Sequence, residues 1–81
     1  PFASTTRIAY QLEKRSTVRL EVYDLLGRRV SVLTDEVQQA GPHEIVWDGR
    51  AGRGRPVASG VYLYRLTADD FTDTGKMTIV R

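Results

Sequence analysis

The residue best suited to acid–base chemistry in this sequence is its single histidine, His43, because imidazole titrates near neutral pH. Hydrolytic or phosphate-binding chemistry would need further groups, and the sequence contains no HExxH, GxSxG or P-loop spacing. His43 alternates with Ile45 and Trp47, which favours a ring packed along a strand over a catalytic base. The sequence therefore predicts that the chain is not an enzyme, and it indicates no cofactor.

Three carboxylates in the stretch ADDFTDTG, those of Asp69, Asp70 and Asp73, raise the question of a cation site. Calcium and other hard cations bind several oxygen atoms at once. The spacing of these acids does not match the twelve-residue calcium loop, so we expect a solvated turn without a metal.

A group of aromatic residues keeps a carbohydrate-binding module open as an alternative, since exposed rings can stack on sugars. Most of these residues occupy alternating positions of predicted strands, where aromatic rings usually serve the core and cross-strand pairs. The residues are Tyr23, Trp47, Tyr62, Tyr64 and Phe71.

Residues 48–60, DGRAGRGRPVASG, form a stretch rich in glycine and arginine. RNA-binding segments of this composition normally occur as repeated arrays within disordered tracts, whereas this stretch lies singly between two predicted strands. The net charge is only +2, and basic and acidic residues are interspersed along the whole chain. Such a distribution gives no coherent basic face for nucleic acid, so we expect a loop that reverses the chain and no nucleic-acid partner.

The length of 81 residues, with 41% hydrophobic and 27% charged residues, predicts one globular domain covering residues 1–81. There is no cysteine, so no disulfide can contribute. No apolar run approaches the roughly 20 residues of a membrane span, and we expect no membrane insertion. A signal peptide, if the parent protein is exported, would lie upstream.

Apolar and polar residues alternate through most of the chain, which predicts β-strands joined by turns. In one of these turns Asp24 is expected to accept backbone hydrogen bonds, and Gly27 to adopt a positive φ. Residues 35–41 are predicted to form a loop and residues 68–75 a turn. The pattern indicates an all-β, immunoglobulin-like antiparallel β-sandwich of about seven strands without a disulfide. The predicted strands are 5–12, 17–24, 28–34, 43–48, 55–58, 60–68 and 76–81.

Four stretches, VRLEVYDLLGRRV, GPHEIVWDGR, GRPVASGVYLYRL and GKMTIVR, together resemble the C-terminal sorting domain of type IX (Por) secretion. They also resemble the related immunoglobulin-like module of the flagellar hook-capping protein. The positions that match the motifs of these domains are Asp24, Gly27, Arg28, Val30, Gly41, His43, Trp47, Asp48, Gly49, Ser59, Gly60, Val61 and Tyr62. By their chemistry, most of these are folding residues.

The resemblance to the sorting domain implies a non-catalytic secretion signal of Bacteroidota-like bacteria. Such a domain would direct a larger secreted protein through the periplasm and the type IX translocon to the cell surface or the medium. The implied partners are the outer-membrane machinery, a surface sorting peptidase and the N-terminal cargo domains of the same precursor. The alternatives are a structural or assembly module of hook-capping type and, second, the carbohydrate-binding module.

The final segment matches the part of the sorting domain that the secretion machinery recognises. An edge strand exposes unpaired backbone groups that a receptor strand could pair with, and this is the mechanism expected for the segment. Its residues are Lys76, Met77, Thr78, Ile79, Val80 and Arg81.

Overall fold

Alternation of inward apolar and outward polar residues produces six β-strands in the part of the chain that the structure describes. The computed structural model describes residues 5–52, 54–69 and 71–80. The prediction of an all-β antiparallel sandwich is confirmed, with six strands in place of about seven. The strands are β1 (Thr6–Leu12), β2 (Ser16–Tyr23), β3 (Arg29–Gln38), β4 (Gly41–Trp47), β5 (Gly60–Ala68) and β6 (Phe71–Ile79).

The six strands form two antiparallel sheets, one of two strands in the order β1-β4 and one of four in the order β3-β2-β5-β6. Strands β2 and β5 are therefore internal, while β3 and β6 are the edges of the larger sheet. No helix in the described part of the chain has the length and apolar character needed to cross a membrane.

The core lies between the two sheets and is built from the inward side chains of both. Burial of each large aliphatic or aromatic side chain contributes about 1.5–3 kcal/mol. The side chains of Trp47 and Leu20 are the largest that are fully buried. The core residues are Ile8, Leu12, Val18, Leu20, Val22, Trp47, Tyr62, Leu66, Ala68, Met77 and Ile79.

The predicted strand 55–58 is absent, and this segment is a loop with one isolated bridge between Arg50 and Pro56. Proline has no N–H to donate to a ladder, and the neighbouring backbone groups are satisfied within the loop. The amide of Ala51 donates to the carbonyl of Arg55 at 2.8 Å, and the amide of Val57 donates to the carbonyl of Gly49 at 2.9 Å.

Two predicted connections are largely strand. Residues Asp35 to Gln38, expected to begin a loop, continue β3 and pair with β2. The turn expected over 68–75 is shorter than predicted, because β6 already begins at Phe71. Both segments lie on sheet edges and their side chains are mostly exposed. Backbone pairing with an internal strand is enough to hold them extended without an apolar alternation.

Candidate docking surface

His43 is packed against the opposite strand. Its ring stacks on that of Tyr10, with centroids 5.4 Å apart and planes 19° apart, and the two residues are paired in register. Its Nε2 lies 2.7 Å from the carbonyl oxygen of Gln39. The Tyr10 hydroxyl in turn donates to Oε1 of Gln38. These contacts fit the interpretation of His43 as a packed ring.

Of the three acids considered for a cation site, the structure describes Asp69 and Asp73. Asp69 serves the turn between β5 and β6, where its Oδ1 accepts the amide of Thr17 at 3.1 Å and its φ is 53°. Asp73 is exposed on β6, and Asp70 lies outside the described residues. Within the described ranges, no three His, Cys, Asp or Glu side chains are grouped so that they could hold a metal ion.

The turn after β2 is held by one aspartate, as the sequence predicted. Oδ1 of Asp24 accepts the amides of Leu26 at 2.9 Å and Arg28 at 3.0 Å, and Oδ2 accepts Nε of Arg28 at 2.9 Å. Gly27 has a φ of 85°, a conformation that residues with a Cβ rarely adopt. Hydrogen bonds from the Arg28 backbone, against a smaller opposing effect of burial, hold the pKa of Asp24 below its usual value.

A second group of motif residues closes the sandwich below the loop 48–59. The ring of Trp47 meets that of Tyr62 edge to face at 5.3 Å, and its Nε1 donates to the carbonyl of Arg50 at 3.0 Å. The hydroxyl of Tyr62 donates to the carbonyl of Ala58 at 2.7 Å. Both rings are buried, so they cannot form the exposed platform that a carbohydrate-binding module would need.

The remaining motif residues also take part in turns or strand entries. Asp48 accepts the amide of Arg50 at 3.2 Å, and Gly49 has a φ of 72°. Gly60 begins β5, Ser59 precedes it, and the side chain of Val61 is partly exposed.

The final predicted segment is divided between the two faces of the larger sheet. Met77 and Ile79 point into the core and are buried, whereas Lys76, Thr78 and Val80 are exposed. Arg81 lies outside the described residues. Only alternate side chains of residues 76–80 are thus available to a partner.

A charge cluster on the outer face of the larger sheet was not recognised from the sequence. The carboxylate of Glu21 lies within 3.4 to 3.6 Å of three guanidinium groups, and its side chain is only 6% exposed. Burial disfavours the charged form of Glu21, but hydrogen bonds from Tyr23 and Arg65, with the nearby arginine charges, outweigh it and lower its pKa. The arginines are Arg19, Arg29 and Arg65.

Next to this cluster is a groove of about 540 Å³ on the same face. Nη2 of Arg65 donates to the hydroxyl of Tyr23 at 2.6 Å and its guanidinium lies 5.0 Å from the centre of that ring. Leu63 and Lys76 also line the groove, and Gly27 lies at the turn end. The alternation of Arg19, Glu21 and Tyr23 on one face of β2 was the only signal of this surface in the sequence.

The fold and the placement of these residues define an immunoglobulin-like β-sandwich in which the polar motif residues Asp24 and Asp48 serve turns. Residues 2–71 match the FlgD Ig-like domain, and the chain belongs to this family. The family is structural and not catalytic, which is consistent with the expectation that the chain is no enzyme.

Two solved structures have the same fold. FlgD from P. aeruginosa is 26% identical, with a TM-score of 0.72, over 93% of this chain and 59% of that one. FlgD from Xanthomonas campestris, whose structure gives insights into the hook capping essential for flagellar assembly, is 22% identical to this chain. The match has a TM-score of 0.72 and covers 95% of this chain and 58% of that one. The chain thus spans less than two thirds of either protein. No curated protein matches it.

The interpretation as a type IX sorting domain is wrong, because the family match and the similar structures all point to FlgD. Three further predictions are wrong for the same reason. They are the type IX machinery and peptidase as partners, the sorting function, and delivery to the cell surface. The physical reason is that the shared motif residues, such as Asp24, Trp47 and Tyr62, stabilise turns and the core. Residues with such roles are common to both kinds of domain and do not distinguish their partners.

Proposed function

We propose that the chain is a structural module of flagellar hook capping, an immunoglobulin-like domain that makes protein contacts during assembly. The observation that carries the proposal is the match of residues 2–71 to the FlgD Ig-like domain. The similarity of the two-sheet fold to FlgD over 93% of the chain supports it further. On this proposal residues 1–81 act as one domain of a protein exported for hook assembly, and they have no catalytic role.

The geometry supports a contact role in two ways. The turn at Asp24 and the loop between β4 and β5 are each held by several hydrogen bonds, so the surfaces beside them are rigid before a partner binds. In the part of the chain that the structure describes, strand β6 is an edge of the larger sheet, and Lys76 and Thr78 are exposed on it. We therefore propose β6 as one edge available to a neighbouring protein.

The proposal is tested by exchanging the domain within the parent gene of the organism that encodes it. Residues 1–81 are replaced by an unrelated immunoglobulin-like domain of similar size, and hooks are counted by electron microscopy of isolated cell envelopes. We expect cells with the exchanged domain to lack normal hooks, because the contacts specific to this domain are lost.

Two controls define the outcome. An immunoblot must show that the exchanged protein accumulates to the level of the original, and reintroducing residues 1–81 must restore hooks. Hooks of normal number and length in cells with the unrelated domain would contradict the proposal, since the domain would then act only as a spacer.

A further inference from the structure

We infer that the outer face of the four-stranded sheet binds an acidic segment of a protein partner. This basic face is defined by Tyr23, Arg29, Leu63, Arg65 and Lys76. The inference deepens the proposed function, on which it rests, by naming a contact surface and the chemistry of what it contacts.

The first argument is charge. Arg19, Arg29 and Arg65 share the single carboxylate of Glu21, and their side chains remain 46%, 52% and 49% exposed. Asp35, which is paired in register with Arg19, adds a second carboxylate to this face, so three positive charges against two negative charges leave a surplus of one here. Lys76 adds a further positive charge and has no ion pair within the described ranges. A guanidinium has five N–H donors, so groups half exposed to solvent keep donors for a second carboxylate.

The second argument is the arrangement of these groups across the sheet. The register places Arg29 beside Tyr23, Tyr23 beside Leu63, and Leu63 beside Lys76, so one row crosses all four strands. The row has a cation at each end and an aromatic and an aliphatic side chain in the middle. A groove of about 540 Å³ runs along part of it. A segment with acids flanking apolar residues is complementary to this row.

The third argument is the apolar tip beside the groove. Leu25 and Leu26 are 65% and 78% exposed in the turn that Asp24 holds, and Gly27 of the same turn lines the groove. Exposed apolar residues on a rigid support, rimmed by charge, are typical of protein contacts. Nucleic acid fits less well, because the whole chain carries a net charge of only +2.

The face is also organised before binding. The buried carboxylate of Glu21 holds the three guanidinium groups, and Arg65 is fixed further by the hydroxyl and the ring of Tyr23. A partner therefore loses little free energy in ordering these side chains.

The test measures binding of the 81-residue chain to a fluorescein-labelled peptide of alternating glutamate and valine, by fluorescence anisotropy. We expect binding that weakens as salt is added, because the attraction is partly between exposed charges. Lys76→Glu should weaken it about tenfold, since it reverses one end of the row and leaves the Glu21 cluster intact. Leu26→Ser, at an exposed position, should weaken it about threefold.

The matched control is Lys14→Glu, which makes the same chemical change at an exposed site in the connection between β1 and β2. This variant should bind the peptide within about twofold of the original chain. Fluorescence of the buried Trp47 verifies that each variant is folded, and Leu26→Ser provides a second variant should Lys76→Glu fold poorly.

Several results would overturn the inference. One is equal affinity for a peptide with glutamine in place of glutamate, and another is an equal loss of peptide affinity in Lys14→Glu and Lys76→Glu. A third is tighter binding of an oligonucleotide or of phosphatidylglycerol vesicles than of the peptide. The fourth is self-association of the chain that Lys76→Glu abolishes. If the domain exchange prevents hook formation while Lys76→Glu binds the peptide as tightly as the original chain, only this inference fails. If the exchange leaves hooks intact, the proposed function fails whatever the peptide does.

Discussion

Replacement of Glu21 by glutamine tests the charge cluster most directly, because it removes the negative charge and keeps the size of the side chain. The carboxylate is almost fully buried and is approached by Arg19, Arg29 and Arg65 at 3.4 to 3.6 Å. In the variant these three cations face one another with no anion between them. We expect the folded state to be destabilised.

The magnitude follows from the number and quality of the contacts. Hydrogen bonds to a charged group contribute about 1.5–3 kcal/mol each at good geometry. The contacts of Glu21 with the arginines are long, and the arginines are half exposed to water, which screens the interaction. We therefore expect a total loss of about 2 kcal/mol. For a domain of this size, this lowers the midpoint of urea unfolding by about 1–2 M.

The pH dependence provides a second signature. The pKa of Glu21 is lower in the folded state than in the unfolded chain, so the contribution of its charge is fully present above the unfolded pKa of about 4.3. That contribution disappears as the pH falls through the folded pKa. The difference in stability between the original chain and Glu21→Gln should therefore shrink as the solution is acidified from about pH 6 to about pH 3.

The measurement is urea unfolding followed by the fluorescence of Trp47, the only tryptophan, which is 1% exposed in the folded state. Glu44→Gln is the control, since Glu44 makes an exposed ion pair with Arg7 at 3.9 Å and its loss should cost at most about 1 kcal/mol. A shift in Glu21→Gln no larger than that in Glu44→Gln, or a gap that widens on acidification, would refute the reasoning.

Three other substitutions test separate contacts. Gly75→Ala should destabilise the fold by about 1–3 kcal/mol, because the new methyl would clash with Cε2 of Tyr64. Thermal unfolding should show a smaller loss of stability when the same change is made in a Tyr64→Ala background. Equal losses in both backgrounds would argue against this clash. Tyr62→Phe should cost about 1 kcal/mol in urea unfolding, since it removes the hydrogen bond to the Ala58 carbonyl, and an unchanged midpoint would contradict that role. In the original chain the pKa of Asp24 is lowered, so the stability that its charge contributes is lost as the pH falls through that pKa. Asp24→Asn should therefore show a shallower pH dependence of folding stability. Identical slopes for the two chains would contradict this role of the Asp24 carboxylate.

The elements that the sequence predicted well are those determined locally. Strands β2 and β5 alternate clearly, with Val18, Leu20 and Leu66 among their inward residues. The turn at Asp24 and Gly27 could also be predicted from the sequence. An aspartate followed by a glycine three residues later can hydrogen-bond to backbone amides within the same turn.

The elements that were missed depend on pairing between distant residues. The second half of β3 and the first half of β6 carry polar side chains, and only their ladders with β2 and β5 make them strands. The Glu21 cluster draws arginines from β2, β3 and β5, so its assembly requires the register of three strands, which includes a bulge after Leu20. No spacing along the chain specifies such a register.

The partner class was missed for a different reason. Trp47, Tyr62 and Asp24 stabilise the fold, and residues selected for folding carry little information about what the surface contacts. The exposed Leu25 and Leu26 lie within one of the stretches that carry the resemblance, and that stretch fits both kinds of domain.

The placement of β1 and β6 in different sheets has a mechanical consequence. A pulling force applied between these two strands is not resisted by a shared ladder of backbone hydrogen bonds, because β1 pairs with β4 and β6 pairs with β5. The load passes through packed side chains between the layers, whose attraction is non-directional. Under tension the sheets should therefore slide apart at low force and re-form when the load is released.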